Sequence, residues 1–427
     1  MTPDMHRAHR TSRNFARLFP QLLILFAIGN VSLAAQGRNH SIRGKVFVGY
    51  QGWFRCPGDG SPANAWSHWS KGEPSAATTS IDLYPDLREL DQKSLCPVPG
   101  MTIQGKQAYL FSSFPVETVR KHFEWMRTYQ IDGAFLQRFI NSIPQARREN
   151  DKVLNNVRTA AEETGRTFII EYDLSGAHPD TALKTLQDDW TYLAASGFTK
   201  SRAYLKDGHA PVVAIWGLGF GDRSHLQDAK LALQIVQWFK AAGCTVIGGV
   251  PSGWGTLTRD SNADPAWNQV YDALDIVQPW TVGRYSSVAQ ADDWKASNLA
   301  PDMARTRDHG QLYMPVIFPG FSWHNLNRNS AENQIPRKGG EFLWRQAYNV
   351  KSVGAPFVKI AMFDEVNEGT AIFKAAPKRT DAPDQGYWLT LDADGGNLPA
   401  DWYLRLAKNI SEMFRKSSIP LTAEMPH

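Results

Sequence analysis

Two glutamates three residues apart, Glu365 and Glu368, stand where a hydrophobic segment gives way to a polar loop. Residues 363–370 read F-D-E-V-N-E-G-T, and Gly369 permits a turn that brings the two side chains together. Paired carboxyl groups can divide acid–base work, because one protonates a leaving oxygen while the other serves as nucleophile or base. Cleavage of a glycosidic bond needs such a pair. The alternative is two solvated loop acids, since this spacing alone is common on protein surfaces.

A second group of polar and aromatic residues stands at the ends of other predicted strands. Sugars present apolar C–H faces and fixed hydroxyls, so their binding sites combine flat aromatic rings with acids, amides and arginine. Any single tryptophan can equally belong to the core, but several on one rim favour sugar binding. The predicted substrate-binding residues are Tyr50, Trp53, Arg138, Glu171, Tyr172, Asp173, Trp216, Trp254, Trp280, Trp323 and His324.

Alternating strands and helices predict the scaffold that carries these residues. Strand-like runs occur near residues 46, 133, 167, 212, 245, 276, 313 and 358, and helical segments separate most of them. Continuous hydrophobic runs are typical of parallel strands covered on both faces. This order predicts the α/β class and a single (β/α)8 TIM barrel over residues 40–420, with 55–107 as a long N-terminal rim loop. A doubly wound open sheet is the alternative.

The common nucleotide, metal and serine-hydrolase motifs are absent from the sequence. Residues 216–221 (W-G-L-G-F-G) follow a strand but lack the third glycine of a dinucleotide loop at its required place. The sequence also contains no G-x-x-x-x-G-K-[ST], no G-x-S-x-G and no H-E-x-x-H. We therefore predict a protein without cofactor or metal, with calcium at Asp59 or at residues 392–394 as the weaker alternative.

The charge distribution argues against one class of partner and predicts export. The chain has 427 residues and a net charge of +4. Its first 34 residues hold four arginines and one aspartate, so +3 of this charge is N-terminal and the remainder is nearly neutral. A nucleic-acid or anionic-membrane partner therefore has no electrostatic support. The basic start, a short apolar run and small residues before Ala35 predict a signal peptide over 1–35 and a secreted or periplasmic protein; an uncleaved anchor is the alternative.

Export permits disulfide bonds, and the chain has three cysteines. Cys56 and Cys96 are the favoured pair because a proline follows each of them in a turn-like context. The sequence leaves open whether they are bridged. Cys244 stands between a predicted helix and a predicted strand, so we expect a buried thiol there.

Several short segments carry a resemblance to a known enzyme family. Residues 360–370 (I-A-M-F-D-E-V-N-E-G-T) resemble the N-E-W-H-E-G-T signature of family 99 glycoside hydrolases, the endo-α-mannosidase and endo-α-mannanase family. Residues 49–54 (G-Y-Q-G-W-F) and 66–69 (W-S-H-W) are similar to bacterial glycoside hydrolase family 71/99-like proteins, some of them labelled xylosidase/arabinosidase. Residues 169–172 (I-I-E-Y) are similar to that group's strand bearing H-I-E-P-Y.

The resemblance implies roles for the two glutamates. In family 99 the first glutamate of the motif deprotonates the sugar 2-hydroxyl, which attacks the anomeric carbon to form a 1,2-anhydro sugar. The second glutamate protonates the leaving oxygen and later activates water. Carried over by position, Glu365 is the base and Glu368 the acid/base, with net retention. Asp364, Val366 and Asn367 depart from the signature, so the resemblance does not fix the sugar. A catalytically inactive carbohydrate-binding barrel is the competing hypothesis.

Overall fold

Parallel strands around a common axis form the centre of the protein in the computed structural model, which describes residues 42–415 and 421–426. The predicted signal peptide lies outside the described residues. The strands are β1 (Val46–Tyr50), β2 (Leu95–Ile103), β3 (Lys106–Phe111), β4 (Gly133–Phe139), β5 (Thr167–Asp173), β6 (Lys206–Asp207), β7 (Ala210–Trp216), β8 (Thr245–Val250), β9 (Ile276–Pro279), β10 (Leu312–Tyr313), β11 (Val316–Ile317) and β12 (Val358–Ile360).

The main sheet runs in the order β10-β9-β8-β7-β5-β4-β1-β12-β11, and these neighbours pair in parallel. β10 and β11 are two halves of one barrel strand, interrupted around Pro315, which has no backbone N–H to donate. Met314 N donates to Val277 O at 2.8 Å on one side, and Lys359 N donates to Pro315 O at 3.0 Å on the other. The interrupted strand therefore joins β9 to β12 and closes the predicted (β/α)8 TIM barrel, and all eight predicted strand positions are occupied.

Helices follow the barrel strands and cover their outer faces. The sequence predicts a helix over 292–307, and the structure has a longer one that consists of α6 (Val288–Trp294), a π-helical turn at Lys295–Leu299 and α7 (Ala300–Asp308). Pro301 has no backbone N–H to donate, and the π-helical turn lies immediately before the α-helical turn that contains it. The helices are α1 (Val116–Thr128), α2 (Ile143–Thr164), α3 (Pro179–Ala195), α4 (Ala229–Ala241), α5 (Trp267–Asp272), α6 (Val288–Trp294), α7 (Ala300–Asp308), α8 (Glu341–Ser352) and α9 (Trp402–Arg415).

Side chains along each strand alternate between the barrel interior and the helix layer. In β5, Phe168, Ile170 and Tyr172 belong to the large cluster that contains the helix side chains. Ile169 belongs to a separate cluster, most of whose members are strand residues, and this cluster is the barrel interior. Asp173 has the same parity as Ile169 and therefore points inward at the end of the strand. This alternation decides which strand-end residues can reach the mouth of the barrel.

The long segment 55–107 is more regular than the sequence predicts. It contains β2, which pairs with β3 as an antiparallel hairpin. Proline and glycine usually argue against a strand, and β2 (L-C-P-V-P-G-M-T-I) holds both. A register shift between Pro97 and Thr102 accommodates them.

A disulfide joins Cys56 to Cys96, with their Cα atoms 6.4 Å apart, which confirms the favoured pair. It ties the start of the rim segment to β2. Cys244 is a buried free thiol, as expected. Among the described residues, no helix is long and apolar enough to cross a membrane.

Candidate active site

A cleft of about 310 Å³ opens at the C-terminal end of the barrel. Both motif glutamates line it, together with aromatic rings and amides from the strand ends and from the loops that follow them. Its lining residues are Gln51, Trp53, His68, Gln137, Phe139, Asp173, Ser175, Trp216, Trp280, Leu326, Met362, Glu365, Asn367 and Glu368.

The loop after β12 is folded back on itself so that both glutamates face this cleft. The carbonyl of Glu365 accepts hydrogen bonds from Thr370 N at 3.1 Å and Ala371 N at 2.9 Å. Gly369 closes the turn with a φ of +60°, and a Cβ atom there would lie 3.1 Å from Ser322. A side chain at this position would meet both backbone strain and crowding. The expected turn at Gly369 is therefore present.

Three further contacts hold the same loop from outside. The buried guanidinium of Arg337 donates to Gly369 O at 2.7 Å and Ala371 O at 2.6 Å. Ser322 N donates to the carbonyl of Glu368 at 2.8 Å. Asn367 Nδ2 donates to the carbonyl of His68 at 2.7 Å, which joins the loop to the rim segment. Hydrogen bonds to the backbone of the loop, together with the contact made by Asn367, thus hold the two glutamates in place.

The loop after β1 supplies a partner for the first glutamate. Gln51 Nε2 donates a short hydrogen bond to Glu365 Oε2. The backbone of this loop is held by the buried carboxylate of Asp364, which accepts from Gln51 N at 2.8 Å and Gly52 N at 2.9 Å. Asp364 thereby positions the amide that contacts Glu365.

Burial and mutual repulsion change the protonation of the glutamate pair. Burial raises the pKa of Glu365 well above its ordinary value, and the negative charges of Glu368 and Asp364 raise it further. Burial also raises the pKa of Glu368 to about 7. The pair therefore retains a proton near neutral pH, because two adjacent buried carboxylates repel each other. Acid–base catalysis needs this arrangement, in which one carboxyl group holds a proton and its neighbour can ionise.

Aromatic rings form the walls of the cleft. Trp53 stacks on His68 with a centroid separation of 3.8 Å and an interplanar angle of 7°, and Phe139 lies on Trp53 at 5.4 Å. Burial lowers the pKa of His68 to about 4, so its ring is neutral near pH 7. Trp216 and Trp280 meet edge to face, 5.6 Å apart. Rings of this kind can cover the apolar faces of sugars.

A third carboxylate lines the cleft, and a buried ion pair lies behind the lining. Asp173 lines the cleft and accepts a hydrogen bond from Ser175 N at 2.8 Å. Glu171, two residues earlier, is fully buried and forms an ion pair with Lys359 Nζ at 2.6 Å. Gln137 Nε2 reaches from the cleft to Glu171 Oε2 at 3.0 Å. Glu171 therefore supports the floor of the cleft and does not line it.

The structure brings part of the predicted site together. Both predicted catalytic residues line the cleft, as do four of the predicted binding residues: Trp53, Asp173, Trp216 and Trp280. Tyr50, Arg138, Glu171, Tyr172, Trp254, Trp323 and His324 are not among its lining residues.

The alternation of side chains along each strand explains why three of these residues do not line the cleft. Tyr50, Arg138 and Tyr172 occupy outward positions of β1, β4 and β5. Tyr50 OH hydrogen-bonds to His122 of α1 at 2.9 Å. Arg138 and Tyr172 both contact Asp189 of α3, at 2.7 Å and 2.8 Å. These three side chains pack between the barrel and the helices. The sequence prediction took strand ends without regard to the face on which each side chain lies.

Three of the other residues make contacts outside the cleft lining. Trp254 is fully buried and donates its Nε1 hydrogen to Asp302 at 3.0 Å. Trp323 lies against Phe321, with ring centroids 5.4 Å apart. His324 Nδ1 is 2.7 Å from the carbonyl of Ser330, within its own loop.

Sequence reasoning missed other cleft residues for two different reasons. Gln137 and Phe139 have the inward parity of β4, so applying the alternation to each strand end would have found them. His68 and Leu326 lie on loops without periodicity, and only the folded chain brings them to the glutamates. The remaining missed residues are Gln51, Ser175, Met362 and Asn367. Within 42–415 and 421–426, no group of three or more histidines, cysteines, aspartates or glutamates is placed to hold a metal.

Replacing Glu368 with glutamine should make the protein more stable at alkaline pH. The folded pKa of about 7 exceeds the ordinary 4.5, so the folded state gains protons relative to the unfolded state between these values. Stability is therefore lost as the pH rises through this window, and the variant escapes that loss. At pH 8 we expect a gain of about 2 kcal/mol, discounted for partial exposure, and none at pH 4.

Thermal unfolding at both pH values tests this, with Glu332→Gln, an exposed acid near the cleft, as the control. A stability difference for Glu368→Gln that does not change with pH would contradict the raised pKa.

Comparisons with known proteins add information about the fold. No family model matches the sequence, and none of the curated proteins matches it. Two structures of the GH99 endo-α-mannosidase from Bacteroides thetaiotaomicron, one in complex with BIS-TRIS-propane, are similar to this chain at 15% identity, with TM-scores of 0.62 and 0.60. They cover 88% and 89% of this chain and 98% and 100% of their own.

A structure described as a glycoside hydrolase-like protein gives a TM-score of 0.52 at 14% identity, covering 82% of this chain and 99% of its own. At such identities the likeness establishes a shared barrel fold.

Proposed function

We propose that the protein is a glycoside hydrolase that cleaves O-glycosidic bonds of an oligosaccharide or polysaccharide with retention. The observation that carries this proposal is the pair Glu365 and Glu368, held on one closed loop in an aromatic cleft with both pKa values raised. The shared fold with endo-α-mannosidases supports it, as does the resemblance of residues 360–370 to their motif.

The proposed reaction has two steps. Glu365 removes the proton of the sugar 2-hydroxyl, the 2-oxygen attacks the anomeric carbon, and the departing oxygen takes a proton from Glu368. In the second step Glu368 takes a proton from water, whose oxygen opens the 1,2-anhydro ring, and the 2-oxygen recovers its proton from Glu365. Each glutamate thus returns to its starting state. The first step requires Glu365 to be ionised. The hydrogen bond from Gln51 favours that form, whereas burial and the negative charges of Glu368 and Asp364 oppose it.

The surrounding residues fit the binding of a sugar chain. Trp53, Trp216 and Trp280 offer flat surfaces to the C–H faces of sugar rings. Asp173 offers a carboxylate that can accept hydrogen bonds from sugar hydroxyls. We also propose that the protein is exported, on the basis of residues 1–35; the disulfide between Cys56 and Cys96 supports this, because such bonds persist in oxidising compartments.

A reducing-sugar screen of the purified protein tests the proposed function. The panel should contain α-mannans, α-glucans, xylans and arabinans, each incubated with wild type and with Glu368→Gln. We expect wild type to release reducing ends from at least one of them and the variant to release far fewer. Binding to a polysaccharide without any release would favour the carbohydrate-binding barrel instead.

A further inference from the structure

Different loops contact the two glutamates of the cleft. Glu365 lies beside Gln51 of the loop after β1. Glu368 lies beside the loop after β11, residues 318–337, where Ser322 N donates to its carbonyl at 2.8 Å. The loop 318–337 therefore adjoins the backbone of Glu368, and its Leu326 lines the same cleft.

One hydrophobic side chain of this loop is exposed in the cleft. Leu326 lines the cleft with 37% of its surface exposed. Few large hydrophobic side chains among the described residues are so exposed: besides Leu326 they are Tyr109, Tyr192 and Leu421. Of these, Leu326 lines the cleft.

The backbone around Leu326 is held firmly, so its exposure does not follow from a loose loop. The buried Asn325 donates from its backbone N to Asp82 Oδ1 at 2.7 Å and from Nδ2 to Ile81 O at 2.7 Å. His324 N donates to Asp82 Oδ2 at 2.8 Å. The loop thus presents an apolar surface at a fixed place, where a ligand can cover it.

We propose that Leu326 contacts the sugar that leaves, and so determines specificity for the leaving group. This inference rests on the proposed function, in which Glu368 protonates the departing oxygen. The sugar attached to that oxygen must lie on the Glu368 side, against the loop 318–337. A leucine there covers the apolar C–H face of a sugar ring without making a hydrogen bond.

Comparison of two substrates isolates this contact. The first is the unactivated oligosaccharide that the screen identifies; the second is the glycosyl fluoride of the same sugar and anomeric configuration. Fluoride is a single atom and cannot extend to Leu326. Leu326→Ala should lower kcat/KM about fivefold on the oligosaccharide, for partial loss of apolar contact, and leave the fluoride within about twofold of wild type.

Two further variants keep the test specific. Leu421→Ala makes the same change at a side chain 41% exposed that does not line the cleft, and should alter neither substrate. Leu326→Phe keeps an apolar surface and should retain most activity on the oligosaccharide.

If Leu326→Ala lowers kcat/KM equally on both substrates, or on neither, the inference is wrong. Wild-type activity on these substrates would still support the proposed function. A wild type that cleaves neither substrate would refute the proposed function and this inference with it.

Discussion

Replacing Glu365 with glutamine should reduce kcat about a hundredfold or more on activated and unactivated glycosides alike. Glutamine has nearly the shape of glutamate but cannot remove a proton or act as a nucleophile. That step precedes or accompanies departure of the leaving group, so a better leaving group does not replace it. KM should change little, because Glu365 is not assigned to ground-state binding.

Steady-state kinetics on an aryl glycoside and on the unactivated oligosaccharide checks this expectation. Glu332→Gln is the matched control, since it makes the same change at an exposed acid outside the cleft lining. Turnover by Glu365→Gln near that of the control would remove Glu365 from the mechanism.

Replacing Glu368 with glutamine should produce a different pattern. Loss of the proton donor should lower kcat at least about a hundredfold on the unactivated oligosaccharide. An aryl glycoside with an acidic phenol as leaving group needs little protonation, so its cleavage should fall much less. The pKa of about 7 also predicts that wild-type activity on the oligosaccharide declines as the pH rises above about 7.

The test is the ratio of kcat on the unactivated oligosaccharide to kcat on the aryl glycoside, measured across pH. This ratio distinguishes a proton donor from a residue that only shapes the site. A structural role would lower both activities together and leave the alkaline decline in place. Equal losses on the two substrates in Glu368→Gln would therefore assign Glu368 some other role.

The fold was predictable because its signal is local. Each barrel strand is a short continuous hydrophobic run, and burial on both faces leaves that pattern in the sequence. β2 was missed for a local reason as well. It holds prolines and a glycine, which obscure a strand in the sequence.

The site was only partly predictable because it depends on direction and on distant contacts. Strand alternation separates Asp173, which faces the cleft, from Tyr172, which faces α3. That rule was available from the sequence. The stack of His68 on Trp53 was not, because the rim segment that carries His68 has no periodic pattern.

Asp364 and Asn367, two positions at which the motif departs from the family 99 signature, make structural contacts in this protein. Asp364 uses its carboxylate to hold the loop that carries Gln51, and Asn367 holds the rim segment through the carbonyl of His68. Both side chains act on neighbouring backbone. Substitutions at these positions can therefore alter the walls of the cleft while the glutamate pair stays in place.

The most direct test of the central claim measures the release of reducing ends from an unactivated oligosaccharide. It compares wild type with the double variant Glu365→Gln/Glu368→Gln. Both proteins should first be shown to have the same circular dichroism spectrum. We expect steady release by the wild type, with release by the double variant no greater than in buffer. Comparable release by the two proteins would contradict the claim that this glutamate pair cleaves glycosidic bonds.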